Sequence, residues 1–489
     1  MPPRLIPVAL FVAGALVSGL TTLKGIQPND EGLMLQAAER IADGQVPYRD
    51  FWWFYPPGQP YLLAGLQELF GPSLLTWRIV RVLADATVAV LAYALARRAA
   101  GTGWSLAAWA AALLAMAYPS GPHPFPIALA LCLGALLLFE ERPVVAGVLV
   151  GAAAAWRVEF AAFAGLGILL ARGGRRSAAA AVATGAVLYA PVVIAAGLGP
   201  SWDLLVDYPL TDFRDYQTLP FPLTYDGPLN TSSVSGFVTD SLEPILLFYL
   251  PLALVLGLAG AAVALARELT PRVIATGVTA LGALAYLLVR TDLFHTAPLA
   301  VLVAILAAWA LSARRVLRGV PALLAGLALV YAIAEGLDRR SLVAREDTVR
   351  LDLPVADGVR VPPRRAAELE QLVARLPSGP LYVATRRADL VTSGFPLLYV
   401  LARRKNPTRY DIPAPGVVTS APVQREIVAD LERTRTPAVV RWTDPITAAP
   451  EENAAGRSSG VRVLDDYLAR AYRPAGRVGS FLLLERRAP

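Results

Sequence analysis

Lysine is almost missing from this 489-residue chain: Lys24 and Lys405 are the only two. Charge of either sign is thin, at 17% of residues, where a soluble protein carries about 25%. Histidine occurs twice, at His123 and His295, and cysteine once, at Cys132. A single cysteine excludes an intrachain disulfide, and with two histidines it leaves no Cys/His zinc set. No clear acidic set calls for a divalent metal, so none is firmly implied as cofactor, and a metal stays an open but unsupported alternative. The formal charge of +7 is not a nucleic-acid signal, because the arginines stand at the ends of apolar runs. The bias toward alanine and arginine fits a GC-rich bacterial genome.

Apolar sequence is what the chain has in quantity: 55% hydrophobic residues and a mean hydropathy of +0.50. Runs near 5–23, 77–96, 104–118, 125–139, 144–156, 158–171, 177–197, 242–266, 273–289, 294–311 and 319–337 read as membrane spans. A helix needs about 20 residues to cross a bilayer core of about 30 Å, and several of these are shorter. The arginines assign the sides. Arg97, Arg98, Arg142, Arg172, Arg175, Arg176, Arg267, Arg272, Arg314, Arg315 and Arg318 belong to the cytoplasmic face. Arg142 and Arg172 share a side only if the chain turns back between them, with Trp156-Arg157-Val158-Glu159 as the apex. Eleven spans result, with the N-terminus inside and the C-terminus outside. The first run ends in Lys24-Gly25-Ile26 without a small-residue cleavage site, which predicts a retained span. No internal repeat is visible, and no matched pair of broken helices of the transporter kind.

The expected fold is therefore a mostly α, polytopic transmembrane bundle over 1–337 with a small extracytoplasmic α/β domain over 338–489. The loop 24–76, the turn 119–124, the apex 157–159, the loop 198–241, the segment 290–293 and the tail all fall on the external face. In the first loop, Asn29 or Asp30 can cap a helix running to about Asp43, closed by Gly44. Residues 59–70 form a second amphipathic helix with Tyr61, Leu62, Leu66 and Phe70 on one face, and both helices are expected in the interface plane. In the tail, 381–384, 437–442 and 480–485 read as strands. The segments 423–433 and 460–472 read as helices, and 447–460 as a polar loop.

The chemistry-bearing residues gather on that external face. Asp30-Glu31 is either a charge pair at a helix N-terminus or a desolvated carboxylate tuned as a general base. In Tyr48-Arg49-Asp50-Phe51-Trp52-Trp53 the aromatics suit a membrane interface. That role does not explain Arg49 and Asp50 among them, nor the stiff Tyr55-Pro56-Pro57-Gly58 turn. Arg157 and Glu159 neutralise each other at a buried turn or contribute to a site. Arg290-Thr291-Asp292-Leu293-Phe294-His295 ends one span and opens the next. It holds either a snorkelling Arg–Asp pair or a phosphate site, since Arg offers a planar fork and His a further donor. The loop 198–241, with Asp207, Tyr208, Asp212, Arg214, Asp215 and Tyr216, covers a substrate or serves as a solvated linker.

The Asp-Glu pair just after the first span, a first external loop with Tyr-Arg-Asp-Phe-Trp and Pro-Pro-Gly, many spans and an outer C-terminal domain resemble the GT-C glycosyltransferases. The bacterial relatives of protein O-mannosyltransferases and lipid A aminoarabinose transferases are the most similar. The resemblance covers about residues 1–340 in organisation. It is specific in motif at Asp30-Glu31, Tyr48–Gly58 and Arg290–His295, and Arg404–Tyr410 resembles outer domains of some bacterial members. It implies transfer of a sugar from a polyprenyl-phosphate donor to a glycan, lipid or protein acceptor outside the cytoplasm, at a bacterial plasma membrane. It casts Asp30 as base with Glu31 beside it. It also places Arg49, Asp50, Tyr55, Arg157, Glu159, Arg290, Asp292 and His295 around donor and acceptor, with Arg290 and His295 on the lipid phosphate. A transporter would instead want polar residues at mid-membrane, and an assembly protein would not need Asp30-Glu31.

Overall fold

The computed structural model describes residues 5–116, 123–172, 174–313, 319–414 and 416–488. Among the described residues, nine helices run from the start to the middle of the chain: α1 (Ile6–Thr22), α2 (Asp30–Ala42), α3 (Gly58–Phe70), α4 (Leu74–Ala96), α5 (Thr102–Ala115), α6 (Phe125–Leu138), α7 (Pro143–Ala154), α8 (Val158–Arg172) and α9 (Arg175–Ala196). Helices Glu243–Leu265, Pro271–Val289, Thr296–Ser312 and Val320–Arg345 complete the bundle. Each predicted apolar run is thus a helix. Five helical runs are long and apolar enough to cross a membrane: Leu74–Ala96, Arg175–Ala196, Val234–Leu265, Pro271–Val289 and Val320–Arg345. Six shorter apolar helices stand among them. The chain breaks at 155–157 between two of these, where the apex is predicted. Arg314, Arg315, Arg318 and most of the turn 119–124 lie outside the described residues.

Small residues let the helices touch. A Cβ on Gly147 would come within 2.1 Å of the Ser177 carbonyl oxygen, and one on Gly151 within 2.3 Å of the Ala181 oxygen. These two glycines, four residues apart, seat α7 directly on the backbone of α9, the contact that bilayer helices favour. Helix Thr296–Ser312 runs through the centre, with residues from Thr296 to Leu311 buried. At the end of the bundle next to the tail, buried polar groups bolt helices together. Asp85 accepts from Arg81 at 2.8 Å and from Ser18 at 3.0 Å, and Arg340 reaches Thr21 Oγ1 at 3.1 Å and the Leu113 and Met116 carbonyls.

The tail is an α/β unit around a four-stranded sheet in the order Leu381–Ala384, Ala438–Trp442, Phe481–Arg486, Tyr472–Val478. The first pair is parallel, with Leu381 opposite Ala438, and the other two are antiparallel. Three strands fall where the sequence places them. Tyr472–Val478 is a fourth strand that the sequence reading leaves unassigned after the helix expected over 460–472; it is an irregular edge strand, where its proline is tolerated.

Two departures from expectation bear on the site. The last bundle helix runs on to Arg345 rather than stopping near 337. More important, α2 does not lie in the interface plane. Its residues from Glu31 to Ala38 are all buried, in one apolar core shared by the first loop (Leu33, Leu35, Trp53) and the tail (Leu397, Leu401, Phe481). Helix α3 buries Gln59, Pro60, Leu63 and Ala64 and leaves Leu69 and Phe70 exposed. The loop 198–241 folds back as well: Tyr208 packs edge-on against Trp52 at 4.9 Å, and Phe213 against Phe54 at 4.7 Å.

Candidate active site

Pro28-Asn29 turns the chain from α1 into α2, so that Asp30 opens the helix. Asn29 does not cap it. Its backbone is already helical (φ −84°, ψ −63°), and its amide donates instead to Asp30 Oδ1 at 3.1 Å. Asp30 is accessible to water yet has protein around it on all sides at longer range, which places it on the floor of a recess. That enclosure raises the pKa of the carboxyl by desolvation. The Asn29 hydrogen bond and the positive charge of His295 and Arg157 pull the other way, and Asp292 adds to the rise.

Those groups form the facing wall. Arg157, in the break between α7 and α8, lies over the rings of Tyr55 and Tyr286, with Cζ 5.5 and 5.2 Å from their centroids. Such a cation–π sandwich orients a guanidinium without neutralising it. Glu159 accepts from Arg157 at 3.3 Å. The Nε of Arg157 and the Tyr286 hydroxyl are buried with no hydrogen-bond partner among the described residues. His295 stacks on Tyr286 at 4.6 Å between centroids. Its Nδ1 and its backbone N–H both reach Asp292 Oδ1, at 2.7 and 3.0 Å. A carboxylate only accepts, so Nδ1 carries the proton and Nε2 is left for a ligand. Burial works against the charge on Asp292, but the His295 hydrogen bonds and the Arg290 charge win and lower its pKa.

Asp30, Tyr55, Arg157, Glu159, Asp292 and His295 are therefore brought together from the first loop, the α7–α8 break and the 290–295 turn. Four candidates stand elsewhere. Glu31 is fully buried in an ion pair with Arg78 of α4, which donates Nε at 2.9 Å and Nη2 at 3.0 Å. Arg78 also caps the Thr22 and Gly25 carbonyls at 2.8 and 2.9 Å, so Glu31 is a structural bolt between α1, α2 and α4. The expected role of Glu31 beside the base is corrected accordingly. Arg49 and Asp50 form a two-pronged pair at the surface, with both bonds at 2.8 Å, that clamps the turn to Ala195 of α9. Arg290 is shared between Asp292, the Gln217 carbonyl and Glu451 of the tail.

Several residues of the site escape a reading of the sequence. Tyr286 sits inside an apolar run without any motif. His123 packs on Phe294 and bonds the Gln27 side-chain oxygen at 3.0 Å, and the Gln27 backbone N–H in turn donates to Glu31. Arg78, Arg81 and Asp85 did carry a signal, as charges on one apolar helix. Among the described residues, no group of three or more His, Cys, Asp or Glu is placed to hold a metal.

Solved structures share this architecture. ArnT from Cupriavidus metallidurans, bound to undecaprenyl phosphate, superimposes with a TM-score of 0.60 at 15% identity over 98% of both chains. The chain has the GT-C fold. Archaeal oligosaccharyltransferase AglB from Archaeoglobus fulgidus, in complex with an inhibitory peptide and a dolichol-phosphate, gives a TM-score of 0.52 at 13% identity, over 97% of this chain and 74% of that one. The apo oligosaccharyltransferase of the same organism gives 0.52 at 13%, over 90% and 70%. No protein-family model matches the chain, and no curated protein matches it in sequence. The GT-C resemblance read from the motifs thus holds at the level of fold, over the whole chain rather than the first 340 residues.

Proposed function

We propose that the chain is an integral-membrane glycosyltransferase that moves a sugar from a polyprenyl-phosphate carrier to an acceptor hydroxyl on the extracytoplasmic face. The observation that carries this reading is the grouping of a water-accessible carboxylate, Asp30, with Arg157, laid over the rings of Tyr55 and Tyr286, and with the Asp292–His295 pair. ArnT, similar in fold, binds undecaprenyl phosphate, and AglB a dolichol-phosphate.

In this mechanism Asp30 takes the proton of the acceptor hydroxyl as its oxygen attacks the anomeric carbon. The bond from that carbon to the phosphate oxygen breaks, and the electron pair leaves with polyprenyl phosphate. Phosphate is a good leaving group and needs charge stabilisation more than a proton. Arg157, with its unmatched Nε, supplies it, and His295 in its imidazolium form, with Nδ1 on Asp292, adds an Nε2–H donor. Tyr55 and Tyr286 hold the guanidinium in place, and Glu159 sets its tilt. The carrier's tail lies in the bilayer beside the bundle.

The helices support this sidedness. Arg78, in the second turn of α4, holds Glu31 next to the recess, while Arg97 lies past the far end of that 23-residue helix, about 28 Å away. Arg98 and Arg272 meet at Glu141, which gathers three arginine-bearing turns at the end opposite the recess. The positive-inside rule then makes that end cytoplasmic.

The test is turnover of a radiolabelled polyprenyl-phospho-sugar by purified protein in proteoliposomes supplied with envelope extract, read as release of polyprenyl phosphate. Asp30→Asn keeps the shape and removes the base. A loss of about 10²–10⁴ in turnover, the usual weight of general-base catalysis, is expected. Full activity in a folded Asp30→Asn protein sinks the assignment.

A further inference from the structure

Asn29 stands between two groups that dictate how its amide is turned. On one side the backbone N–H of Gly394, in the tail, donates to Asn29 Oδ1 at 3.2 Å. On the other side Asn29 Nδ2 donates to Asp30 Oδ1 at 3.1 Å. The N–H of Gly394 can only donate and the carboxylate of Asp30 accepts, so no flip of the amide satisfies both. An Asn at this position would ordinarily cap the helix that follows. Here the capping bond is given up, and the side chain is committed to the link between the tail and Asp30.

The same tail segment fixes the rest of α2. The N–H of Leu397 donates to the Pro28 carbonyl at 3.2 Å. Gly32 lies against Leu397 so closely that a Cβ would come 2.0 Å from its nitrogen. One turn from the other end of α2, Arg40 binds Asp411 through two bonds of 2.7 and 2.8 Å, both side chains almost fully buried. Asn406 holds Asp411 from behind at 2.9 Å. The N–H of Trp52 bonds the Arg409 carbonyl at 2.9 Å. Residues 394–411 therefore grip the Asp30-bearing helix near both ends.

We propose that Asn29 is a positioning residue for Asp30, and that the C-terminal domain, through Gly394 and the segment to Asp411, is part of the catalytic unit rather than an appended binding module. This rests on the reading of Asp30 as general base. Asn29 aims the Asp30 carboxylate into the recess and, by donating to it, keeps it ionised. Without that bond, the enclosed carboxylate faces only Arg157 and His295 as favourable partners, and Asp292 as an unfavourable one.

The test is the pH dependence of turnover in the full-length protein. Asn29→Asp keeps an acceptor for Gly394 and loses the donor to Asp30. Its acidic limb should move up by at least about one pH unit, because a charge-assisted hydrogen bond is lost and a second carboxylate stands beside Asp30, with turnover restored at high pH. Recovery on raising the pH is not expected of a merely loosened fold. Asn29→Ala loses the tail contact too, and its turnover should stay about tenfold or more down at every pH. Wild-type rate and limb in both variants overturn the proposal. So does failure of Asn29→Asp to fold, because the variant keeps the side chain's shape and its acceptor for Gly394. If Asp30→Asn is fully active, the base assignment falls instead, and that result is read independently of the Asn29 series.

Discussion

Arg290 presents both terminal nitrogens to the carboxylate of Glu451, at 2.9 and 2.7 Å, and so ties the turn after helix Pro271–Val289 to a loop of the tail. With Asp292 on its Nε at 2.8 Å and the Gln217 carbonyl beyond, its donors are well supplied. Arg157 is not in that position. Its one anionic partner is Glu159 at 3.3 Å, and its Nε is unmatched. Of the two arginines, Arg157 is the one with donors left for a phosphate.

This difference predicts which substitution hurts donor binding. Arg157→Lys should weaken affinity for a polyprenyl-phospho-sugar by tenfold or more, because an ammonium cannot stack between two rings as a guanidinium does. Arg290→Lys and Glu451→Gln should each change it by less than about threefold, since a partly exposed ion pair contributes about 0.2–1 kcal/mol. Donor titrations of the three variants decide the matter. A tenfold loss in Arg290→Lys with none in Arg157→Lys would move the phosphate site to Arg290.

Turnover should fall on acidification, over a range above that of an ordinary aspartate. Desolvation raises the Asp30 pKa, and the base acts only when ionised, so activity is full above that raised value and lost as pH drops through it. A pH–rate profile flat down to the normal aspartate range would contradict the enclosure of Asp30.

Glu31→Gln should act on stability rather than chemistry. It leaves Arg78 as a buried charge without its counter-ion, a change that costs about 3–5 kcal/mol. Thermal unfolding in detergent should show a lowered transition. Any molecules that remain folded should keep the wild-type pH–rate profile. A well-folded Glu31→Gln protein without activity would return Glu31 to the chemistry.

Glu39 lies on α2 against the tail, and its pKa is raised to about 7, by burial first and then by Asp43 and Asp411, against the pull of Arg403 and Lys405. A carboxyl whose folded pKa is raised binds its proton more tightly when folded. Its contribution is complete below the unfolded value near 4.5 and is lost as pH rises toward 7. The shift corresponds to at most about 3 kcal/mol. Unfolding temperatures measured from pH 5 to pH 8 should decline in the wild type across this window, and the decline should be smaller in Glu39→Gln.

Much of the architecture is legible in the sequence because a bilayer leaves few options. Backbone groups in lipid must be satisfied within the segment, so each long apolar run has to be a helix. Arg157 and Glu159 mark the break between α7 and α8 for the same reason: two charges are costly inside a span. The position of Asp30 after α1, and the turn at 290–295, are likewise local facts. What the residues do to one another is not local. Asp30 and Glu31 are neighbours in the chain, but successive helical residues point about 100° apart, so one faces the recess and the other meets Arg78. Glu451 reaches Arg290 across 161 residues, and Gly394 reaches Asn29 across 365. No periodicity records such pairs. The sequence by itself determined the helices, their order and the face that carries the polar groups, because hydrophobic transfer acts on each segment alone. Only the tertiary structure decided which carboxylate is free, which arginine is committed and that the tail holds α2, because these depend on which distant groups close packing brings into contact.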